Sequence, residues 1–195
     1  MIFKDLQIPD LKLFTPKKFY DERGFFSETY NRSLFEQNGS KIQFVQDNHS
    51  LSLEKWTIRG FHYQIPPYAQ DKLVRVISGA ILDIAIDIRK GSPTFGKHVE
   101  VELNASSWNQ FLVPIGFAHG FVTLKKNTEV LYKVSNFYSP NHDRGINWQD
   151  QSLDIQWPMK IDEALVSEKD KKLPRLHEIV SPFSFIGRDQ KSNEK

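Results

Sequence analysis

The sequence contains no cysteine. That removes disulfide staples, thiolate zinc sites, iron–sulfur clusters and cysteine nucleophiles together, and it fits a reducing compartment. No charge sign dominates either: 26 Lys+Arg face 24 Asp+Glu, a formal +2. Neither charge-driven disorder nor nucleic-acid binding gains support from that balance. No stretch approaches the ~18 consecutive apolar residues of a membrane span, so no membrane partner is expected. The first ten residues carry Lys4 and Asp5 where a secretory signal would be apolar, so a cytoplasmic protein is expected. Internal repeats, low-complexity tracts and Gly- or Ser-rich linkers are missing too. The 195 residues therefore read as one domain, 1–195, of ordinary size, with the polar residues 188–195 expected to fray.

What is present is a period of two, the mark of strands, whose successive side chains point to opposite faces. In Ala80–Ile88, Leu82, Ile84, Ile86 and Ile88 share one face, and Ile81, Asp83, Ala85 and Asp87 share the other. Val99–Leu103 alternates as cleanly, and Lys72–Ile77, Phe111–Val113, Gly120–Leu124 and Glu129–Val134 continue the series between turn residues. Short strands at such spacing indicate an all-β antiparallel sandwich or barrel. Helix is peripheral: Asn31–Gln37, with Asn31 as N-cap and Gly39 beyond its end, and a short piece at Ile161–Leu165. The carboxylates of Asp83 and Asp87 face the core only if both faces of their strand are buried.

Chemistry concentrates in four places. Arg59–Lys72 holds His62, Gln64 and aromatics between its two end cations, Pro114–Phe121 sets His119 among apolar residues and glycines, and Glu129–Lys133 places Tyr132 on the face of Val130 and Val134. The fourth, Ser167-Glu168-Lys169-Asp170, follows the body of the sheet. Each has a plain structural reading. A lone histidine is more often a hydrogen-bonded core residue than a catalyst, Tyr132 could keep its ring in the core and its hydroxyl wet, and Glu168–Lys172 resembles a solvated surface run. His62 stands apart because Arg59, Gln64 and Lys72 surround it. A facial-triad metal site needs two histidines one residue apart, but His62 is followed at that spacing by Gln64 and His119 by Phe121, so no metal is expected. Phosphate-cradling glycine loops are also missing, which leaves arginines such as Arg23 and Arg59, with their planar forks of donors, to hold any phosphate.

Read together, Asp21–Phe26 with Glu28, Phe44–Ser50, Arg59–Lys72, Asp83–Arg89, Gly116–Phe121, Glu129–Lys133, Asp143–Ile146 and Ser167–Asp170 strongly resemble the dTDP-4-dehydrorhamnose 3,5-epimerases, over nearly the whole chain. The resemblance implies a cupin-type antiparallel β-barrel (jelly roll) with a few short peripheral helices, a homodimer, no metal and no cofactor. It implies an isomerase of dTDP-L-rhamnose biosynthesis acting on a dTDP-linked 4-keto-6-deoxy sugar. It makes His62 the general base, Asp170 the carboxylate that orients it, Tyr132 the acid on the opposite face of the sugar and Lys72 the stabiliser of the enolate. Arg23, Glu28, Gln46, Asp47, Asn48, Arg59, His119, Asp143 and Lys169 would contact the nucleotide-sugar, and Tyr138 would stack on thymine. Asp143 stands where many relatives have a glutamate.

The chemistry accounts for that set. A proton beside a ketone can be removed because the carbanion delocalises onto the keto oxygen, and a 4-keto sugar has two such carbons, C3 and C5. Inversion needs a base on one face and an acid on the other, each contributing ~10²–10⁴-fold, and a preorganised donor at the enolate oxygen adds ~2.7–4 kcal/mol. Three rivals remain at this stage: a mono-epimerase inverting one carbon of a related sugar, a ketoisomerase on the same barrel, whose usual paired histidines are absent here, and a sugar-nucleotide-binding barrel without turnover.

Overall fold

The computed structural model describes residues 2–38 and 40–187, so Gly39 and the 188–195 tail lie outside the described residues. Fourteen strands are β1 (Ile2–Asp5), β2 (Lys12–Thr15), β3 (Lys18–Asp21), β4 (Gly24–Ser27), β5 (Gln46–Ser52), β6 (Thr57–Gln64), β7 (Lys72–Ser78), β8 (Ala80–Asp87), β9 (His98–Asn104), β10 (Gln110–Val113), β11 (Phe117–Thr123), β12 (Thr128–Val134), β13 (Asp143–Gly145) and β14 (Leu165–Val166). Two short helices accompany them, α1 (Arg32–Gln37) and α2 (Glu168–Lys171). One sheet runs β1-β2-β10-β7-β12-β5, and the second runs β13-β6-β11-β8-β9 with β14 also on β6. This is the cupin-type jelly roll expected from the sequence, with one refinement: the strands form two facing sheets instead of a continuously bonded ring, and β14 joins β6 in parallel.

Both faces of the second sheet are covered, which settles the open question about β8. Ile81 and Ala85 point between the sheets and pack with Val74, Val76, Phe111, Phe121 and Val130. Ile84, Ile86 and Ile88 point the other way, beneath Ile146, Trp148, Leu153 and Phe183 of the C-terminal segment. Asp83 and Asp87 are therefore fully buried. Asp87 is satisfied at once, because Arg89 donates to it from Nε at 2.9 Å and from its second terminal nitrogen at 2.6 Å, with Ser92 and Thr94 hydroxyls each at 2.6 Å.

The outer face of the first sheet carries α1. Asn31 caps it as expected, accepting from Leu34 N at 3.3 Å. Six residues are too few for a helix to stand alone, and α1 is held by Phe35, which is buried against Phe14, Leu73 and Leu112. Burial of such a ring contributes roughly 1.5–3 kcal/mol. The 161–165 piece is a single 3₁₀ turn, Ile161–Glu163.

Between β6 and β11 the backbones meet closely. Gly60 has φ +133°, and a Cβ there would lie 2.5 Å from the Gly120 Cα. A side chain at Gly120 would lie 2.8 Å from the Arg59 carbonyl oxygen. The ladder shifts register between His119 and Phe121, so glycine at both positions lets the two histidine-bearing strands touch.

Candidate active site

The two sheets leave a cleft between them, with an inner chamber of about 480 Å³ and a mouth of about 380 Å³ that share His62, Lys72, Tyr132 and Lys169. His62 comes from β6 in one sheet, whereas Lys72 on β7 and Tyr132 on β12 come from the facing sheet. The period of two puts these three on inner faces.

His62 Nε2 lies 2.7 Å from Asp170 Oδ1, the contact that the chemistry of an oriented base requires. Asp170 reaches it from α2, whose Ser167 N-cap accepts the Asp170 amide at 3.1 Å. The helix turns Asp170 inward, 4% exposed, while Glu168, Lys169 and Lys171 stay outside. Reading Glu168–Lys172 as solvated is thus right for most of the run and wrong for Asp170, since four residues carry too little periodicity to show an inward face. Burial raises the Asp170 carboxyl, but the hydrogen bond and charge of His62, the Gly60 N–H and Lys169 outweigh it and hold it below the usual carboxylate range.

Lys72 donates from Nζ to the His62 carbonyl at 3.1 Å, which ties the cation to the strand bearing His62. Burial pushes its pKa down to about 8, against the opposing pull of Asp143 and Asp83. Burial likewise raises the Tyr132 phenol, only partly offset by the Arg59 charge. The phenol therefore keeps its proton throughout the neutral range, as an acid must.

His119 is paired across the ladder with His62. Its Nε2 lies 2.5 Å from Asp83 Oδ1, so Asp83 and His119 face the same interior. Burial lowers the His119 pKa by more than Asp83 raises it. Arg59, an exposed residue that lines the chamber, donates to Ser52 Oγ at 3.2 Å and to the Leu51 carbonyl at 3.1 Å.

At the mouth, Gln46 and Asn48 face inward from β5, with Gln46 Nε2 donating to Asn48 Oδ1 at 2.8 Å. Gln46 Oε1 accepts the Tyr138 amide at 3.2 Å, the Tyr138 hydroxyl donates to Asp143 Oδ2 at 3.3 Å, and Lys169 pairs with the same carboxylate. Tyr138 is half-exposed there, a free ring at the entrance.

Three expected contacts are not brought to the cleft by this chain. Asp47 follows the strand alternation to the other face, where it accepts from Lys133 Nζ at 2.8 Å and borders a separate cavity of about 90 Å³. Arg23 caps the β3–β4 hairpin and pairs with Asp21 at 2.6 Å, and Glu28 accepts from Asn31 at 2.7 Å. Ser50, in contrast, lines the chamber with a buried hydroxyl that has no partner among the described residues. Continuing the Gln46–Asn48 alternation by two positions finds it. Among the described residues no group of three or more histidine, aspartate or glutamate side chains is arranged to hold a metal ion.

The model of the family described as dTDP-4-dehydrorhamnose 3,5-epimerase matches residues 5–178. The chain belongs to this family. The Shigella flexneri dTDP-4-dehydrorhamnose 3,5-epimerase is 53% identical over 165 residues, covering 84% of this chain and 90% of that protein. The Sinorhizobium fredii enzyme of the same name is 47% identical and covers 95% of both chains. The crystal structure of the Legionella pneumophila dTDP-6-deoxy-D-glucose-3,5-epimerase in complex with dTDP-4-keto-L-rhamnose superposes with a TM-score of 0.90 at 39% identity, over 95% of this chain and 99% of that one. The match to the family runs along most of the chain, and the residues that line the cleft lie within the matched span.

Proposed function

We propose that this cleft inverts C3 and C5 of dTDP-4-dehydro-6-deoxy-D-glucose to give dTDP-4-dehydro-L-rhamnose, with His62 as base, Asp170 as its orienting carboxylate, Lys72 at the enolate oxygen and Tyr132 as acid. The observation that carries the assignment is the split of the machinery between facing sheets. The base stands on β6 and the acid on β12, across one chamber from each other. A flat sugar enolate held between them meets a base on one face and a proton donor on the other, which is what inversion demands. His62 takes the proton from the carbon, Asp170 stabilises the resulting imidazolium, Lys72 neutralises the charge arriving on O4, and Tyr132 delivers a proton from the far side. Proton exchange with solvent returns His62 to the neutral imidazole and Tyr132 to the phenol, and the same groups then repeat the cycle at the second α-carbon.

The reacting sugar is small and uncharged, so affinity must come from its remote end. Arg59 and Lys169 supply cations for a diphosphate, Gln46, Asn48 and Asp143 supply polar contacts at the mouth, His119 meets the sugar, and Tyr138 offers its ring to thymine.

Arg23, Glu28 and Asp47 complete the substrate contacts in a homodimer. The β3–β4 hairpin exposes two cross-strand aromatic pairs, Phe19 with Phe26 on one face and Tyr20 with Phe25 on the other, apolar surface of the kind that marks a protein contact, and Arg23 and Glu28 lie on the hairpin or beside it. No helix among the described residues is long and apolar enough to cross a membrane. We place the enzyme in the cytoplasm, where nucleotide-linked sugars are made.

The test is turnover of dTDP-4-keto-6-deoxy-D-glucose in D2O followed by proton NMR. Deuterium at both C3 and C5 with L-configured product is the expected result. Absence of exchange at either carbon would leave only a binding barrel.

A further inference from the structure

The chamber holds a second carboxylate–imidazole pair that the proton transfers do not use. Asp83 is fully buried on β8. One of its oxygens meets His119 Nε2 at 2.5 Å, and the other is buried with no hydrogen-bond partner among the described residues. Leaving a buried charged oxygen unsatisfied is costly, so a purely structural role would be served better by an apolar residue like its neighbours Ile84 and Ala85. A carboxylate only accepts, hence Nε2 must carry the proton. Burial keeps the His119 ring neutral, which leaves Nδ1 as an acceptor on a residue that lines the chamber.

The negative charge also has a second listener. Lys72 is faced by His62 from β6, Asp83 from β8, His119 from β11 and Tyr132 from β12, and across the mouth by Asp143 from β13 and by Lys169 and Asp170 from α2. Of these, Asp143 and Asp83 are the carboxylates whose charges oppose the loss of the Lys72 proton on burial. Asp143 is engaged by Lys169 and Tyr138, whereas Asp83 has one oxygen uncommitted.

Resting on the reading of Lys72 as the enolate's partner, we propose that Asp83 is a positioning residue of the epimerisation: it fixes His119 as the Nε2–H tautomer, with Nδ1 left to accept from a sugar hydroxyl, and it supplies the buried counter-charge for the Lys72 ammonium. Asp83 touches neither substrate nor reacting atoms; it acts through these two side chains.

The test compares wild type with Asp83→Asn, which keeps the shape and deletes the charge, in turnover of dTDP-4-keto-6-deoxy-D-glucose from pH 6 to 10. The expected loss in kcat is roughly tenfold, below the ~10²–10⁴-fold of a direct proton carrier, with dTDP affinity unchanged and the alkaline limb of kcat/KM moved to lower pH. A variant that merely melts earlier, with its alkaline limb in place, overturns the proposal and leaves the functional reading standing. Wild type that does not turn over the sugar overturns both. Should Asp83→Asn fail to fold, ¹⁵N NMR of histidine-labelled wild type decides. A neutral His119 protonated at Nε2 at pH 7 supports the proposal, and an Nδ1–H tautomer or an imidazolium overturns it.

Discussion

His62 and His119 stand opposite each other on adjacent antiparallel strands, and each turns its Nε2 to a different carboxylate, Asp170 at 2.7 Å and Asp83 at 2.5 Å. Their surroundings differ. The His62 side chain is 30% exposed and the His119 side chain 7%, so the second imidazole sits where charge is penalised. That difference in burial is in keeping with the proposed roles, a proton carrier in one pair and a fixed dipole in the other.

His62→Ala is expected to abolish solvent exchange at both carbons and leave dTDP binding near the wild-type value by calorimetry, because the proposed nucleotide contacts, Arg59 on the same strand and Lys169 and Tyr138 elsewhere, are made by other side chains. Parallel loss of dTDP binding and of thermal stability would make His62 a structural residue.

Asp170→Asn tests the partner through acid stability. His62 and the Gly60 N–H hold the folded Asp170 carboxyl below the ordinary aspartate value of 3.8, so its contribution is fully present above pH 3.8 and is lost as pH falls through the folded value. Urea titrations should show wild type more stable than Asp170→Asn at pH 7, with the gap narrowing below pH 3.8. A gap that persists unchanged at pH 2.5 would contradict a stabilised carboxylate.

Lys72 carries the opposite sign. Its pKa falls from 10.5 to about 8 on folding, so the buried ammonium costs stability in full below pH 8 and the cost disappears above 10.5, on the order of 3 kcal/mol between those limits. Lys72→Met should therefore be inactive yet melt higher than wild type at pH 7, with the difference shrinking as pH rises from 8 to 10.5. A lower melting temperature at pH 7 would mean that the ammonium stabilises the fold.

The β6–β11 crossing makes a mechanical prediction. Gly120→Ala drives a Cβ to within 2.8 Å of the Arg59 carbonyl oxygen and 2.9 Å of the Phe61 ring, so both strands must move. A loss of about 2 kcal/mol or more is expected in denaturant unfolding, together with reduced kcat, since Arg59, His62 and His119 ride on the displaced segments.

Much of this was legible in the chain. Alternation in 80–88 and 99–103 indicated strands and grouped Asp83 with Ile81 and Ala85 on one face, because period two is a local property. What alternation could not show is what covers each face: Ile84, Ile86 and Ile88 are buried only because residues 146–187 fold back over them. Asp47 shows the converse limit. A motif groups it with Gln46 and Asn48, but the pleat sends it to the opposite face from both. Asp170 escaped the periodicity because α2 is a single turn, and Arg23 and Glu28 sit on a hairpin whose surroundings this chain does not itself complete.

Tyr132→Phe separates the two halves of the proposed inversion. The substitution keeps the ring that lies against the core and removes the hydroxyl, so packing should be preserved while the acid is lost. His62 would still remove a proton and return one from the same face. In D2O the substrate should therefore keep acquiring deuterium at one or both carbons with retained configuration, while formation of L-configured product falls ~10²–10⁴-fold. Because burial holds the phenol's pKa above its ordinary value, the residual activity should show the same alkaline limb as wild type, set by Lys72 and not by Tyr132. Wild-type label confined to one carbon at equilibrium would indicate single inversion. Undiminished inversion by Tyr132→Phe would leave the reaction intact and assign the far-side proton to another group.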